Sequence, residues 1–174
     1  MRVVRSFAFV DLNGFTAFTG KHGDEHAVEV LSAFRSLVRE VSSRHGVRVA
    51  KWLGDGAMFV SVEIAPLLDA MVEVLGTWEE AGWPLRLRAG FASGAVILFE
   101  GDDHIGTPVN LASRLCDAAE AGTVLMAVDP AGAPDVPGGA TVSESRMTLL
   151  PGFATPVATT RLVPRDISAS RATA

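Results

Sequence analysis

The stretch that decides the fold is VRVAKWLGDGAMFVSV, residues 47–62 of the 174-residue chain. It holds two β-prone runs, Val47 to Leu53 and Ala57 to Val62, separated by Gly54-Asp55-Gly56. Asp-Gly between two such runs is a strong β-hairpin signal, because these residues tolerate the backbone angles of a tight turn. The stretch therefore predicts two antiparallel strands with Asp55 at the tip that joins them.

Helices and further strands flank this hairpin on both sides. Upstream, the apolar run Val3 to Val10 predicts a buried strand, and Asp24 to His45 carries apolar residues at helical spacing. Downstream, Pro66 to Trp78 predicts a second helix and Leu85 to Phe91 another strand. The order β-α-β-β-α-β is that of a ferredoxin-like core, so the predicted fold class is α+β with extra C-terminal strands.

Further elements extend this core. A helix is expected with Thr107 as its N-cap and Pro108 in the first helical position, ending at about Ala119. The other predicted segments are a strand over Ala95–Phe99, a charged loop over Glu100–Ile105, a strand over Thr123–Val128, a loop over 130–139 and weaker β-like pieces ending near Val163. We therefore expect one domain over residues 1–163 and a flexible tail over 164–174.

Composition and charge exclude several classes of protein. The chain has 15 Lys and Arg against 20 Asp and Glu, a net charge of −5, whereas a general nucleic-acid binder shows a basic stripe. No window approaches the roughly 18 apolar residues of a membrane span, and no signal-peptide pattern opens the sequence. The single cysteine, Cys116, fits a reducing compartment. We expect a cytoplasmic protein without nucleic-acid or membrane contact, in which metal ions bring the positive charge for any nucleotide substrate.

Two aspartates stand where a charged side chain needs a partner. Asp11 ends the apolar run Phe7 to Val10, where an unpaired carboxylate is costly. In a βαββ arrangement the first strand lies beside the hairpin, which brings Asp11 towards Asp55. Converging carboxylates repel unless a divalent cation lies between them, and such oxygen ligands suit Mg²⁺ or Mn²⁺. Each aspartate taken alone is also an ordinary turn residue.

Two further groups of residues suit an anion. Gly14-Phe15-Thr16 predicts a glycine turn entering a short helix, whose free backbone N–H groups form an anion cradle. Asn110 and Arg114 are four residues apart on a predicted helix and therefore share a face, and a guanidinium suits phosphate. A plain strand-to-helix connection and a solvated helix face are the alternatives. Beside metal carboxylates, these groups indicate phosphoryl or nucleotidyl transfer.

Four segments resemble the catalytic domain of class III adenylyl and guanylyl cyclases, in the family's order, over about residues 5–163. The segments are Phe7–Thr16 (FAFVDLNGFT), Lys51–Phe59 (KWLGDGAMF), Leu87–Gly94 (LRAGFASG) and Gly101–Arg114 (GDDHIGTPVNLASR). Each segment alone is a weak signal, whereas the four together are highly specific.

The resemblance implies a role for each matching residue. Asp11 and Asp55, with the backbone carbonyl of Leu12, match the ligands of two divalent metal ions, Mg²⁺ or Mn²⁺. Lys51 and Asp103 match the pair that reads adenine, where guanylyl cyclases usually carry Glu with Cys or another small residue. The remaining matches are the transition-state residues Asn110 and Arg114 and the phosphate-binding residues Asn13, Gly14, Phe15, Thr16 and Arg88.

The activity implied by the resemblance is that of an adenylyl cyclase, which converts ATP to 3′,5′-cyclic AMP and pyrophosphate by two-metal catalysis. In homodimeric members, the metal aspartates of one chain face the Lys, Asp, Asn and Arg of the other. This chain carries both halves, so a homodimer with two composite sites is expected.

The sequence also departs from the family pattern. Leu150-Pro151-Gly152 stands where the family often has Leu-Lys-Gly, whose lysine binds the triphosphate, and Arg146 is a nearby candidate substitute. Ala92 stands where many members have His. The alternatives are a catalytically silent nucleotide-binding module, a guanylyl cyclase and a plain ferredoxin-like interaction domain.

Overall fold

The computed structural model describes residues 1–101, 103–129 and 136–165. The elements in chain order are β1 Arg2–Leu12, α1 Phe15–His22, α2 Asp24–His45, β2 Arg48–Leu53, β3 Gly56–Ser61, α3 Ile64–Glu80, β4 Leu87–Phe99, β5 Asp103–Ile105, α4 Thr107–Ala118, β6 Val124–Ala127, β7 Ala140–Val142, β8 Arg146–Thr148 and β9 Val157–Pro164. None of the helices in these ranges has the length and apolarity needed to cross a bilayer.

The described strands form one mixed sheet in the order β2-β3-β1-β4-β6-β9-β7, with β5 beside β4 and β8 beside β9. The first four strands of that order run antiparallel to one another, whereas β6 runs parallel to β4. β1 connects to β2 through α1 and α2, and β3 connects to β4 through α3, so each connection crosses one intervening strand. This is the ferredoxin-like βαββαβ arrangement, and the predicted fold class is confirmed.

The two faces of β1 belong to separate hydrophobic layers. Ala8 and Val10 pack in the layer that α2 and α3 cover. Phe7 packs in the other layer, with Leu115 of α4. Because side chains alternate along a strand, Asp11 shares the α4 face with Phe7. The sheet end that carries Asp11 therefore meets α4.

β4 is one continuous strand, which corrects the predicted pair of strands over 85–91 and 95–99. Residues 92–94, where the pattern predicted a break, pair with residues 5–7 of β1. Small residues weaken the strand signal there, yet packing requires them, because a Cβ on Gly94 would lie 2.8 Å from Cγ of Pro108. Pairing across the sheet thus outweighs the local propensity.

The region after β4 differs from the prediction in two details. The predicted charged loop over 100–105 contains β5, which pairs antiparallel with the far end of β4. The N-cap of α4 is Gly106 rather than Thr107, so Pro108 is the second helical residue. The first difference is a short strand that depends on pairing with β4. The second concerns a helix boundary, which local sequence signals define poorly.

The predicted loop over 130–139 and tail over 164–174 fall partly outside the described residues, which exclude 130–135 and 166–174. Pro164 still belongs to β9, opposite Ala140. The backbone N–H of Arg165 donates to the carbonyl of Gly139 at 2.8 Å. Strand β9 thus includes Pro164, one residue past the predicted domain end at residue 163.

Candidate active site

The two predicted metal aspartates lie together at one end of the sheet. Asp11 pairs with Gly56, the residue after Asp55, and the N–H of Leu12 donates to the carbonyl of Asp55 at 3.2 Å. A Cβ on Gly56 would lie 2.8 Å from the carbonyl oxygen of Val10, so this close approach requires glycine. Both aspartates line a cleft of about 150 Å³.

Arg88 binds Asp11 through two hydrogen bonds. Its Nε donates to Oδ1 at 2.8 Å and its Nη2 to Oδ2 at 3.0 Å. The two side chains are 23% and 25% exposed, and the Asp11 carboxylate raises the pKa of Arg88 above its usual range. The family resemblance predicts a phosphate contact for Arg88, and in this structure its guanidinium is bonded to the Asp11 carboxylate.

The same guanidinium also reaches the C-terminal end of α4. Nη1 of Arg88 donates to the carbonyl of Asp117 at 2.7 Å. Carbonyls in the last turn of a helix lack an intrahelical donor and favour a cation. Arg88 is therefore hydrogen-bonded both to Asp11 and to α4, the helix that carries Asn110 and Arg114.

The Asp55 carboxylate has a raised pKa, so its charged form is disfavoured in the metal-free protein. Burial raises its pKa, and the nearby Asp11 adds to the rise, whereas a hydrogen bond to its own backbone and the charge of Arg88 act in the opposite direction. Among the described residues, no group of three or more His, Cys, Asp or Glu side chains is gathered to hold a metal ion. Two carboxylates nevertheless fit Mg²⁺ or Mn²⁺, which bind through one or two carboxylates together with substrate phosphates.

The turn after β1 has the form expected of an anion cradle. Gly14 has φ 82°, in the left-handed region that favours glycine, and α1 begins at the next residue, Phe15. The N–H of Asn13 donates to the carbonyl of Arg86 at 2.9 Å. N–H groups in the first turn of a helix, including that of Thr16, have no intrahelical acceptor. Gly14, Phe15 and Thr16 can thus present N–H donors beside Asp11, whereas the N–H of Asn13, which the resemblance also assigns to phosphate binding, is already bonded to Arg86.

The predicted adenine-reading residues contact each other. Nζ of Lys51 lies 2.5 Å from Oδ1 of Asp103, and each side chain is about half exposed. Lys51 follows an irregularity in the pairing of β2 with β3, whereas Asp103 opens β5. The hydrogen bond from Lys51, together with its charge, lowers the pKa of Asp103. A charged donor and a charged acceptor therefore lie side by side.

Asn110 and Arg114 line a second cleft, of about 420 Å³, along α4. Pro151 lines the same cleft, at the position where the family often has lysine. Arg146, the candidate substitute, lies in β8 opposite Thr159 and not among the residues that line this cleft. The structure thus brings the two transition-state candidates together and leaves the basic substitute elsewhere.

Sequence reasoning missed Asp117. Its Oδ2 accepts a hydrogen bond from Nη1 of Arg114 at 3.1 Å, and its Oδ1 lies 3.9 Å from Nη2 of Arg88. The available signal was the three-residue spacing from Arg114, which places two helical side chains on one face. The adjacent Cys116 is buried, which raises the pKa of its thiol.

Two proteins of Mycobacterium tuberculosis are similar to this chain in sequence. The chain is 36% identical, over 125 residues, to an uncharacterized protein of Mycobacterium tuberculosis; the match covers 72% of this chain and 33% of that protein. It is 39% identical, over 123 residues, to a pH-sensitive adenylate cyclase of the same species, covering 69% and 30%. No protein-family model matches the chain.

Solved cyclase structures share the whole fold. The guanylyl cyclase Cya2 superposes with a TM-score of 0.77 at 21% identity, covering 95% of each chain. The adenylyl cyclase CyaB from P. aeruginosa superposes with a TM-score of 0.71 at 23% identity, covering 95% of this chain and 96% of that one. The chain belongs to the class III cyclase catalytic-domain family. It spans about a third of the length of the curated relatives it matches.

The two halves of the predicted site line different clefts of this cyclase domain. Asp11 and Asp55 line the smaller cleft, and Asn110 and Arg114 line the larger one. Ser113 of α4 lines both. Helix α4 therefore separates the carboxylate half from the transition-state half within one chain.

Proposed function

We propose that the chain is an adenylyl cyclase catalytic domain that converts ATP to 3′,5′-cyclic AMP and pyrophosphate at sites shared between two copies of the chain. The observation that carries the proposal is the pairing of Lys51 with Asp103 in a domain whose Asp11 and Asp55 converge on one cleft. The relative of Mycobacterium tuberculosis that is named an adenylate cyclase adds support.

The choice of ATP over GTP rests on hydrogen-bond chemistry. Adenine offers an acceptor at N1 next to a donor at N6, which complements a lysine donor next to an aspartate acceptor. Guanine presents a donor at N1 and an acceptor at O6. The Lys51 donor would then face the N1–H donor, and the Asp103 acceptor would face the O6 acceptor. An unpaired buried polar group costs about 1–3 kcal/mol, which is enough to discriminate between the two bases.

Asp11, Asp55 and the carbonyl of Leu12 are the groups that would hold two divalent cations, Mg²⁺ or Mn²⁺. Such cations, when bound, neutralise triphosphate charge and lower the pKa of the attacking ribose hydroxyl. Arg88 keeps the Asp11 carboxylate in one orientation through its two hydrogen bonds. The N–H groups of residues 14–16 donate to phosphate oxygens beside it.

Residues of α4 stabilise the transition state in this proposal. As the 3′-oxygen attacks the α-phosphorus, its proton leaves, the bond to the pyrophosphate oxygen breaks and charge grows on the α-phosphoryl oxygens. Arg114 donates to those oxygens, a contribution of about 3–4 kcal/mol for one well-placed donor. Asn110 orients the ribose so that the attack is in line.

A second copy of the chain completes each site. The carboxylates and Arg114 of one chain line separate clefts, so ATP bound at the carboxylates needs Asn110 and Arg114 from elsewhere. An isologous dimer supplies them twice, giving two equivalent sites. Turnover per chain is therefore expected to rise with protein concentration.

Product analysis tests the proposal. Purified protein is incubated with Mn²⁺ and either ATP or GTP over a range of protein concentrations, and cyclic nucleotides are separated by chromatography. We expect cyclic AMP from ATP, little cyclic GMP, and specific activity that rises with concentration. The absence of cyclic AMP at every concentration would refute the enzyme proposal.

A silent nucleotide-binding module is the second candidate, and Pro151 favours it. This proline lines the Arg114 cleft where the family often places a triphosphate-binding lysine. Tight binding of ATP with Mn²⁺ and no product would support this alternative. Tight ATP binding accompanied by cyclic AMP formation would remove it.

A further inference from the structure

Four side chains of alternating charge form a continuous series of ion pairs across the end of the sheet: Asp11, Arg88, Asp117 and Arg114. The Asp11 carboxylate accepts two hydrogen bonds from Arg88. Arg88 in turn holds the carbonyl of Asp117 at 2.7 Å and lies 3.9 Å from its carboxylate. Asp117 then accepts from Arg114 at 3.1 Å. This series of ion pairs begins at a predicted metal ligand, Asp11, and ends at the predicted transition-state arginine, Arg114.

We propose that Asp117 is a positioning residue that fixes the Arg114 guanidinium for catalysis and links it, through Arg88, to Asp11. The inference rests on the proposed cyclase function. In the proposed dimer, Asp11 and Arg114 of one chain serve different composite sites. Asp117 therefore stands between the two catalytic centres.

Orientation, rather than stability, is what such a pair contributes. Arg114 and Asp117 are 50% and 53% exposed, and exposed ion pairs stabilise a fold very little. An arginine side chain has many rotamers, however, and only a few of them direct its planar fork at a phosphoryl oxygen. A carboxylate one turn away selects among those rotamers before the substrate binds.

Asp117 is itself held in place from two sides. Arg88 binds its carbonyl at the C-terminal end of α4, where the helix dipole favours a cation. The neighbouring Cys116 is buried, and its Sγ donates to the carbonyl of Arg88 at 3.6 Å. The Asp117 backbone is thus anchored to β4, so its carboxylate offers Arg114 a fixed partner.

Steady-state kinetics of Asp117→Asn provide the first test. We expect kcat to fall about 2- to 5-fold, the scale of a half-exposed charge pair, with KM for ATP within twofold of wild type. Asp117→Glu keeps the carboxylate and should recover part of the loss. Glu120→Gln is the matched control, because Glu120 forms a similar exposed pair with Arg161 just beyond α4; its kcat should equal that of wild type.

The Arg114→Ala background shows whether Asp117 acts through Arg114. We expect Asp117→Asn to lower kcat by less than twofold when Arg114 is already absent. An equal fall in both backgrounds, or a wild-type kcat for Asp117→Asn, would overturn the inference. Melting temperatures of all variants are measured alongside, and a kcat loss that tracks unfolding would also overturn it.

A spectroscopic measurement separates this inference from the proposed function. In nucleotide-free protein, Asp117→Asn should shift the side-chain Nε–H signals of Arg114 and Arg88 and leave that of Arg35 unchanged. If wild type makes no cyclic AMP, the proposed function fails while this readout still tests the contact. If wild type is active and the signals of Arg114 and Arg88 do not move, the positioning role is refuted.

Discussion

The two carboxylates that would share the metal ions should respond in opposite ways to loss of their charge. Asp11 has a bidentate arginine partner, with both side chains about three-quarters buried. Asp55 has a pKa raised by burial and by the charge of Asp11. In metal-free protein, the Asp11 charge is therefore satisfied and the Asp55 charge is not.

The structure sets the size of each effect. Asp11→Asn keeps one acceptor for Arg88 but loses one charge-assisted hydrogen bond, and such bonds contribute about 1.5–3 kcal/mol when buried. With the partial exposure of this pair, we expect a loss of about 1–2 kcal/mol, or about 3–6 °C in melting temperature for a domain of this size. Asp55→Asn removes an unfavourable charge at a partly exposed site, so we expect no loss and a gain of up to about 1 °C.

Thermal denaturation in the presence of EDTA measures both variants against wild type. Asp69→Asn is the control, because Asp69 is an exposed aspartate on α3; its melting temperature should not change. With excess Mn²⁺, wild type should gain stability, by about 2.7 kcal/mol at one hundred times the dissociation constant, and both site variants should lose most of that gain. Equal destabilisation by Asp11→Asn and Asp55→Asn in EDTA would contradict this difference between the two carboxylates.

The pH dependence of the Asp55 effect has a definite sign. A raised pKa in the folded state means that ionised Asp55 costs stability above that pKa. The cost is relieved as pH falls through the folded pKa towards the ordinary aspartate value. The advantage of Asp55→Asn should therefore be present at neutral pH and shrink on acidification. An advantage that grows as pH falls would contradict the assignment.

Three further predictions concern other residues in or beside the candidate site. Gly90→Ala should cost about 1–3 kcal/mol and lower turnover at least 10-fold, because the new Cβ would lie 2.1 Å from the backbone of α4, and melting curves with initial rates check this. Lys51→Glu combined with Asp103→Cys should move product formation from cyclic AMP towards cyclic GMP; an unchanged nucleotide preference would count against the base-reading pair. Arg35→Met should lower stability by about 1–2 kcal/mol and weaken Mn²⁺ binding in a metal titration, because Arg35 donates to the hairpin carbonyl beside Asp55. Arg35 and Arg39 both lie over the Trp52 ring, at 5.2 and 5.1 Å from its centroid. Arg39→Met, which loses only this ring contact, should leave Mn²⁺ binding unchanged.

Much of the fold could be predicted because local signals and tertiary packing agree. The Asp-Gly hairpin and the amphipathic pattern of α2 gave bounds within one residue of the structure at most ends. The local pattern predicts two strands in place of β4, because the small residues 92–94 weaken the strand signal. These residues instead satisfy contacts with α4 and β1 that a local pattern does not show. β5 is only three residues long and depends on pairing with β4, so its charged sequence predicted a loop.

The site could be predicted at the level of residue types and not of pairings. The sequence indicated that Asp11 and Asp55 converge, because topology alone places the first strand beside the hairpin. It could not indicate that Arg88 binds Asp11, since that contact depends on the register of β1 against β4. Asp117 was missed because a charged residue on a helix face is usually solvated, and its second partner comes from a distant strand.

The most direct test of composite-site adenylyl cyclase activity is a mixing experiment with Asp11→Ala and Arg114→Ala. Each variant alone lacks one half of both sites and should form almost no cyclic AMP. In an equimolar mixture, half of the dimers are mixed and each contains one intact site, so we expect about a quarter of the wild-type rate. A mixture no more active than the separate variants, while wild type forms cyclic AMP, would contradict the shared site.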